Sequence, residues 1–127
     1  MTETVTIILP LPPSCLSPNR PPFSVGGRYR KAAAIKKQRR DARKAIEEER
    51  IDSGPWNQVE AQARFYHKKK RRRDGANFNA MLKGAFDGIV DAGLAIDDDH
   101  VHWTTLPPLF FIDRDHPRVE ISVSRVL

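Results

Sequence analysis

Cysteine is almost missing from this chain: Cys15 stands alone among 127 residues. One thiol cannot close an intrachain disulfide, and no Cys/His set has zinc-ligand spacing, so neither kind of staple holds the fold. A reducing, cytoplasmic location fits. Long hydrophobic runs are missing as well. The apolar stretch from Val5 to Leu11 is too short to span a bilayer, and Met1-Thr2-Glu3 lacks the positive n-region of a signal peptide. The expectation is a soluble, unprocessed protein with no membrane partner. No internal repeat or extended low-complexity segment is present. Acidic residues are in deficit, 16 against 22 Lys and Arg, which leaves a net charge of +6 and a pI near 9.8. That balance favours a polyanionic partner, nucleic acid first. The length suits one domain with one core.

What is present reads as a mixed α+β pattern. Thr4 to Leu9 is rich in branched side chains and is stopped by Pro10, Pro12 and Pro13, which predicts a strand feeding a rigid turn. Ser14 to Arg30, with Pro18, Pro21, Pro22, Gly26 and Gly27, reads as a loop whose Arg20, Arg28 and Arg30 can reach DNA. Lys31 to Arg50 is full of helix formers with a thin apolar stripe at Ala33, Ile35, Ala42, Ala45 and Ile46, the pattern of a surface helix. Its cations lead and Glu47-Glu48-Glu49 trail, against the helix dipole. A solvated charged face and a phosphate-facing role for Lys36, Lys37, Arg39, Arg40 and Arg43 both stay open. Val59 to Tyr66 alternates as a half-buried strand. Asn77 to Ala92 repeats apolar residues at helical spacing and ends on Gly93, a ready left-handed cap. Val101 to Thr105 and Val119 to Val126 predict two more strands, separated by Pro107-Pro108, the aromatic run Phe110-Phe111 and a polar turn. The fold class expected is a small mixed β-sheet packed with two main α-helices in a single domain.

The chemistry concentrates where six cations, Lys68, Lys69, Lys70, Arg71, Arg72 and Arg73, run into Asp74 at the mouth of the Asn77 helix, with Lys83 inside that helix and Asp97-Asp98-Asp99 beyond it. Basic side chains attract phosphate, whereas aspartates approach it only across a divalent cation. Such an ion activates water and neutralises charge building on phosphorus. This pattern points to a metal-dependent nuclease with Asp74 and Asp98 as ligands. If both groups sat at the tips of an unbroken helix they would stand roughly 24 Å apart, so convergence requires the chain after Gly93 to fold back. Each feature also has a plain reading: a blunted edge strand for the basic run, a snorkelling side chain for Lys83, a polar turn for the triple aspartate.

Several segments together resemble the RusA-type Holliday-junction resolvases, small phage and prophage endodeoxyribonucleases. They are Leu9-Pro10-Leu11-Pro12-Pro13-Ser14 with Asn19 and Arg20, Arg72-Arg73-Asp74-Gly75-Ala76-Asn77, Ala80-Met81-Leu82-Lys83 leading to Phe86-Asp87-Gly88, and Ala92-Gly93-Leu94-Ala95-Ile96-Asp97-Asp98. The resemblance implies metal-binding roles for Asp74 and Asp98, a catalytic role for Lys83, and support from Asn77 and Asp97. It also implies magnesium or manganese as cofactor, a four-way DNA junction as substrate, a homodimer cutting symmetrically, and a bacterial host cell as location.

One position departs from that pattern. Where the family's Asp-x-Asp-Asn motif has its second aspartate, this chain has Ala76. An alanine cannot ligate a metal, so divalent binding weakens and the chain is expected to bind branched DNA but cleave it poorly. Asn79 is a substitute ligand only if the register slips, and its amide brings no charge. Two other readings stand beside the nuclease: a noncatalytic branched-DNA-binding protein with a retired active site, and a ribosomal-type RNA-binding domain, which leaves the aspartates unexplained. His100 and His102 are too few for zinc and read as packing or solvent contacts. Trp56, Trp103, Phe110 and Phe111 read as core rather than as base-stacking platforms. Gly84 and Gly88, four apart, suggest close packing against the sheet or a second subunit.

Overall fold

Alternation along three strands builds the centre of the molecule. In β1 (Thr4–Leu9) Val5, Ile7 and Leu9 point into the core while Thr4, Thr6 and Ile8 face out. β1 runs antiparallel to β5 (Arg118–Arg125), with Ile7 opposite Ile121. On the outer face the Thr4–Ser124 and Thr6–Ser122 hydroxyl pairs each close at 2.9 Å, cross-strand contacts of the kind that hold register. β5 in turn lies antiparallel to β2 (Val59–His67), with Phe65 opposite Val119. The far edge of β2 takes β3 (Trp103–Thr105) and β4 (Leu109–Ile112), both parallel to it. The result is a five-stranded mixed sheet in the order β1-β5-β2-β3, with β4 also beside β2. The computed structural model describes residues 3–19, 24–49 and 54–127. Arg20, a predicted DNA contact, lies outside the described residues.

Among the described residues three α-helices cover the sheet. α1 (Val25–Glu48) begins earlier than the composition predicts, because Ser24 Oγ accepts from Gly27 N at 3.0 Å and caps a first turn containing both glycines. Arg28 and Arg30 therefore ride on a helix rather than a loop. The single helix expected from Asn77 to Ala92 is two, α2 (Gly75–Ala80) and α3 (Lys83–Asp91). Gln38 of α1 makes the break affordable: its Nε2 donates to Met81 O at 3.0 Å and its Oε1 accepts from Ala85 N at 2.9 Å. One amide thus serves a carbonyl left by α2 and an amide left by α3. α3 ends as expected, on Gly93 at φ +85°.

The contact that Gly84 and Gly88 allow is with α1, neither the sheet nor a second subunit. A Cβ on Gly84 would come within 2.9 Å of Gln38 Oε1 and 3.0 Å of Ile35 O, and one on Gly88 would overlap the Arg39 carbonyl. Between helices and sheet lie Trp56, Phe65, Leu82, Ile89 and Ile121, each almost fully buried. Trp103 is buried as predicted, but Phe110 and Phe111 are 37% and 43% exposed. These two belong to β4, which sits at the sheet's edge and is exposed along its whole length. His100 and His102 precede β3 in a turn rather than on a strand, and His102 Nδ1 lies 2.8 Å from Asn57 O. The expected α+β class, a mixed sheet packed with helices in one small domain, is the observed one.

Candidate functional site

Lys83 opens α3, and its position there depends on the break that Gln38 holds. It is the first residue of that helix rather than a residue two turns inside a longer one. From this corner its ammonium donates to Asp87 Oδ1, one turn on, at 3.0 Å, and to Asp98 Oδ2, fifteen residues along the chain. The segment after Gly93 does fold back. Trp56 N donates to Leu94 O at 2.7 Å and Ile96 N to Trp56 O at 3.3 Å, so a short parallel bridge ties 94–96 to the segment before β2. Asp98 follows directly, and Asp97 Oδ1 accepts from Asp98 N at 2.7 Å.

The charges in this corner hold one another. The Lys83 hydrogen bond keeps the Asp98 carboxyl below the usual carboxylate range, against the opposing pull of burial, with smaller contributions from Asp87 and Asp97. Asp98 in turn raises the Lys83 ammonium. Behind Asp87, Arg39 of α1 makes a paired contact with Asp91, its Nη2 donating at 2.8 Å, and comes within 4.0 Å of Asp87. The row Asp98–Lys83–Asp87–Arg39–Asp91 alternates in sign from the loop to α1. Of the nine cations on α1, two more are engaged in this way, Lys37 with Asp41 and Arg43 with Glu47, and both readings of that helix's charged face stay open.

Asp74 sits elsewhere in the bonding pattern. It caps α2, its Oδ1 accepting from Asn77 N at 3.3 Å. The side chain of Asn77 accepts from Ser17 Oγ, also at 3.3 Å, which ties the start of α2 to the proline-rich turn after β1. Ala76 is exposed in the first turn of α2. Asn79 donates to Leu106 O at 3.1 Å, and its Oδ1 is buried without a partner. No hydrogen bond joins Asp74 to Asp98. For magnesium or manganese the donor chemistry is suitable, since hard carboxylate oxygens of Asp87 and Asp98 converge on one cationic point. The cation at that point is the Lys83 ammonium, and among the described residues no group of three His, Cys, Asp or Glu side chains is arranged to hold a metal ion.

Lys68 to Arg73 leave the end of β2 as irregular chain, not as the edge strand that a plain reading of the run offers. Arg73 folds back on it, its Nη1 and Nη2 donating to Arg71 O at 3.2 Å and Lys69 O at 3.0 Å. None of the six cations pairs with a carboxylate among the described residues. Partial burial and the neighbouring Arg71 push the Arg73 guanidinium below its ordinary value. Burial, then Arg73, pushes His67 down too. His67 is a residue the sequence did not single out. It ends β2, inside an aromatic group with Phe65, Phe78 and Phe110, and its only advance signal is its place beside the basic run. Among the described residues no helix is long and apolar enough to cross a membrane. No protein-family model matches the chain, and no curated protein does either.

Proposed function

We propose that this chain is a junction-directed endodeoxyribonuclease of the RusA type, acting on four-way DNA as a homodimer, with cleavage impaired by Ala76. The observation that carries the reading is the meeting of Lys83 with Asp98 across fifteen residues, in a chain whose α2 start, Asp74 to Asn77, follows directly on a cationic loop with no carboxylate partner among the described residues. The pair brings a cation from the start of α3 and a hard oxygen from the fold-back after Gly93 to one point of the surface. In this reading Lys68 to Arg73, with Arg28 and Arg30, hold the phosphate backbone, and affinity falls steeply with salt as counterions are released. Lys83 is the cation at the scissile phosphate. Asp98, with Asp97 and Asp74, presents hard oxygens to magnesium or manganese, and Asn77 steadies the start of α2. A bound divalent ion would supply activation of water and neutralisation of charge at phosphorus. Recognition is by junction shape, and two-fold junction symmetry asks for two copies of the chain.

A second reading is favoured by a separate observation. With Ala76 in place of a carboxylate and Lys83 already neutralising Asp98, the corner is electrostatically satisfied without a metal, as befits a noncatalytic branched-DNA-binding protein. Calorimetric titration of manganese into the chain and its Ala76→Asp variant, with nicking of a labelled four-way junction, separates the two. Metal uptake and nicking gained by Ala76→Asp support the nuclease. Junction binding with neither gained supports the binder, and no junction binding removes both.

A further inference from the structure

Two adjoining grooves, each of about 370 Å3, run along the basic loop and share a wall made by Leu11, His67, Arg71 and Arg73. Their other walls differ. One groove continues along Lys68, Lys69 and Pro117 and is cationic. The other is lined by Pro12, Phe78 and Met81 as well as Arg72, so guanidinium and apolar surface share it. Each has the size of a small-ligand site.

The shared wall lacks a counter-charge. Arg71 and Arg73 have no carboxylate partner among the described residues, and Arg73 is held by carbonyl oxygens of its own loop, which fix its place and leave the pair's charge unneutralised. His67 lines both grooves, and its Nδ1 is buried without a hydrogen-bond partner. Its ring is fixed by stacking on Phe65, with centroids 6.0 Å apart, and by edge contact with Phe78 at 5.4 Å. The guanidiniums of Arg71 and Arg73, both on the shared wall, suit an oxyanion, and phosphate is the anion that fits two guanidiniums. A bare phosphate, however, gives the apolar wall nothing to do. A nucleobase attached to that phosphate does, because its flat face suits aromatic and thioether surface while the sugar-phosphate stays on the cations.

We infer that these grooves receive one unpaired nucleotide of a DNA strand, its phosphate on the wall of His67, Arg71 and Arg73 and its base against Pro12, Phe78 and Met81. This rests on the nucleic-acid reading above but not on cleavage, and it assigns the loop a role besides general attraction: it selects strands with a base out of the stack. Paired duplex keeps its bases turned inward and offers the groove only backbone.

The test uses the full chain and a labelled DNA duplex carrying one unpaired 5-bromouracil, compared with the same duplex fully paired. The expected result is binding about tenfold tighter to the bulged duplex, within the range of base stacking on protein, and photocross-linking to the peptide that carries Phe78 and Met81. His67→Phe, which keeps the ring stack but removes the nitrogens, should narrow the preference to about twofold. Thymidine monophosphate should compete only at concentrations at least a hundredfold above those of the bulged duplex. Equal binding of bulged and paired duplexes, a cross-link outside the groove, or equal competition by the free nucleotide overturns the inference and leaves the DNA-binding reading standing. Failure to bind either duplex overturns the inference, and failure to bind a labelled four-way junction run alongside them overturns the reading on which it rests.

Discussion

Two charged regions lie within one small domain and are built on opposite rules. In the corner of α3 five charges are matched by partners of the other sign: Asp98 with Lys83, Lys83 with Asp87, Arg39 with Asp91. In the loop from Lys68 to Arg73 six cations have none among the described residues, and the two groups whose ionisation is disturbed there, Arg73 and His67, are disturbed toward losing positive charge. A compensated cluster stabilises its own fold. An uncompensated one is at its lowest energy only with an anion from outside. The loop is thus the part of the surface most in need of a polyanion, and the corner is the part with a cation poised over carboxylates.

The comparison sharpens most if the corner can be made to take a divalent ion. Ala76→Asp adds a carboxylate to the first turn of α2, two residues from Asp74. Magnesium-dependent nicking of a four-way junction is expected to rise on the order of a hundredfold, the scale on which metal sites respond to gaining or losing a supporting group. Asp98→Asn in the same background should return it to the starting level. A rise that survives Asp98→Asn would put the metal somewhere else.

The corner can also be broken without touching a charge. Gly88→Ala forces a methyl into the Arg39 carbonyl, which belongs to helix backbone and cannot step aside. α3 must then retreat from α1, and the Arg39–Asp91 contact with it. The expected loss is about 2–3 kcal/mol, within the range for overpacking a tight contact, read as a lower urea midpoint. Gly84→Ala should cost less, since the first atom its methyl meets is the Gln38 side chain. Equal effects at the two positions would mean that the helices slide as a unit.

What could be read in advance divides along the same line, between local and distant causes. β1, β2 and β5 announce themselves because alternation is a property of neighbouring residues, and Gly93 does so because a left-handed cap needs glycine. The break at Met81-Leu82 could not be seen, since apolar spacing runs through it unchanged and the group that permits it, Gln38, comes from another helix. The approach of Asp98 to Lys83 depends on the bridge between Trp56 and Ala95, again a distant pairing. β4 was hidden for a different reason. Leu109 to Ile112 shows no alternation, being a short edge strand exposed throughout, so its four apolar residues look like a linker. The early start of α1 was masked by Gly26 and Gly27, whose poor helix propensity the Ser24 cap offsets.

The loop should behave as a surface with nothing to lose. Replacing Arg71 and Arg72 together by Gln is expected to weaken DNA binding about tenfold near physiological salt and to lower the slope of log K against log salt by about two, roughly one for each phosphate contact removed. Thermal stability should hold or rise slightly, because no described carboxylate loses a partner. A fall in melting temperature comparable with that of Gly88→Ala would show that these cations support the fold and would erase the contrast with α3.

The smallest effect concerns pH. Asp98 has a folded pKa below its ordinary value of 3.8 and Lys83 one above 10.5. The carboxylate's contribution is therefore present above the ordinary carboxylate value and lost as pH falls through the depressed one. The ammonium's contribution is present below its ordinary value and lost as pH rises through the raised one. Both operate between those limits, so the pair adds a plateau across neutral pH and steepens the two flanks. Lys83 is well exposed and solvent screens the attraction, so the expected contribution is a few tenths of a kcal/mol. Lys83→Met should lower urea stability by that amount at pH 7 and converge with the parent once pH has fallen through the depressed Asp98 value, where the carboxyl is protonated in both. Parallel curves down to the acid limit would mean that Asp98 draws its stabilisation from backbone and neighbouring aspartates, leaving Lys83 free for a ligand.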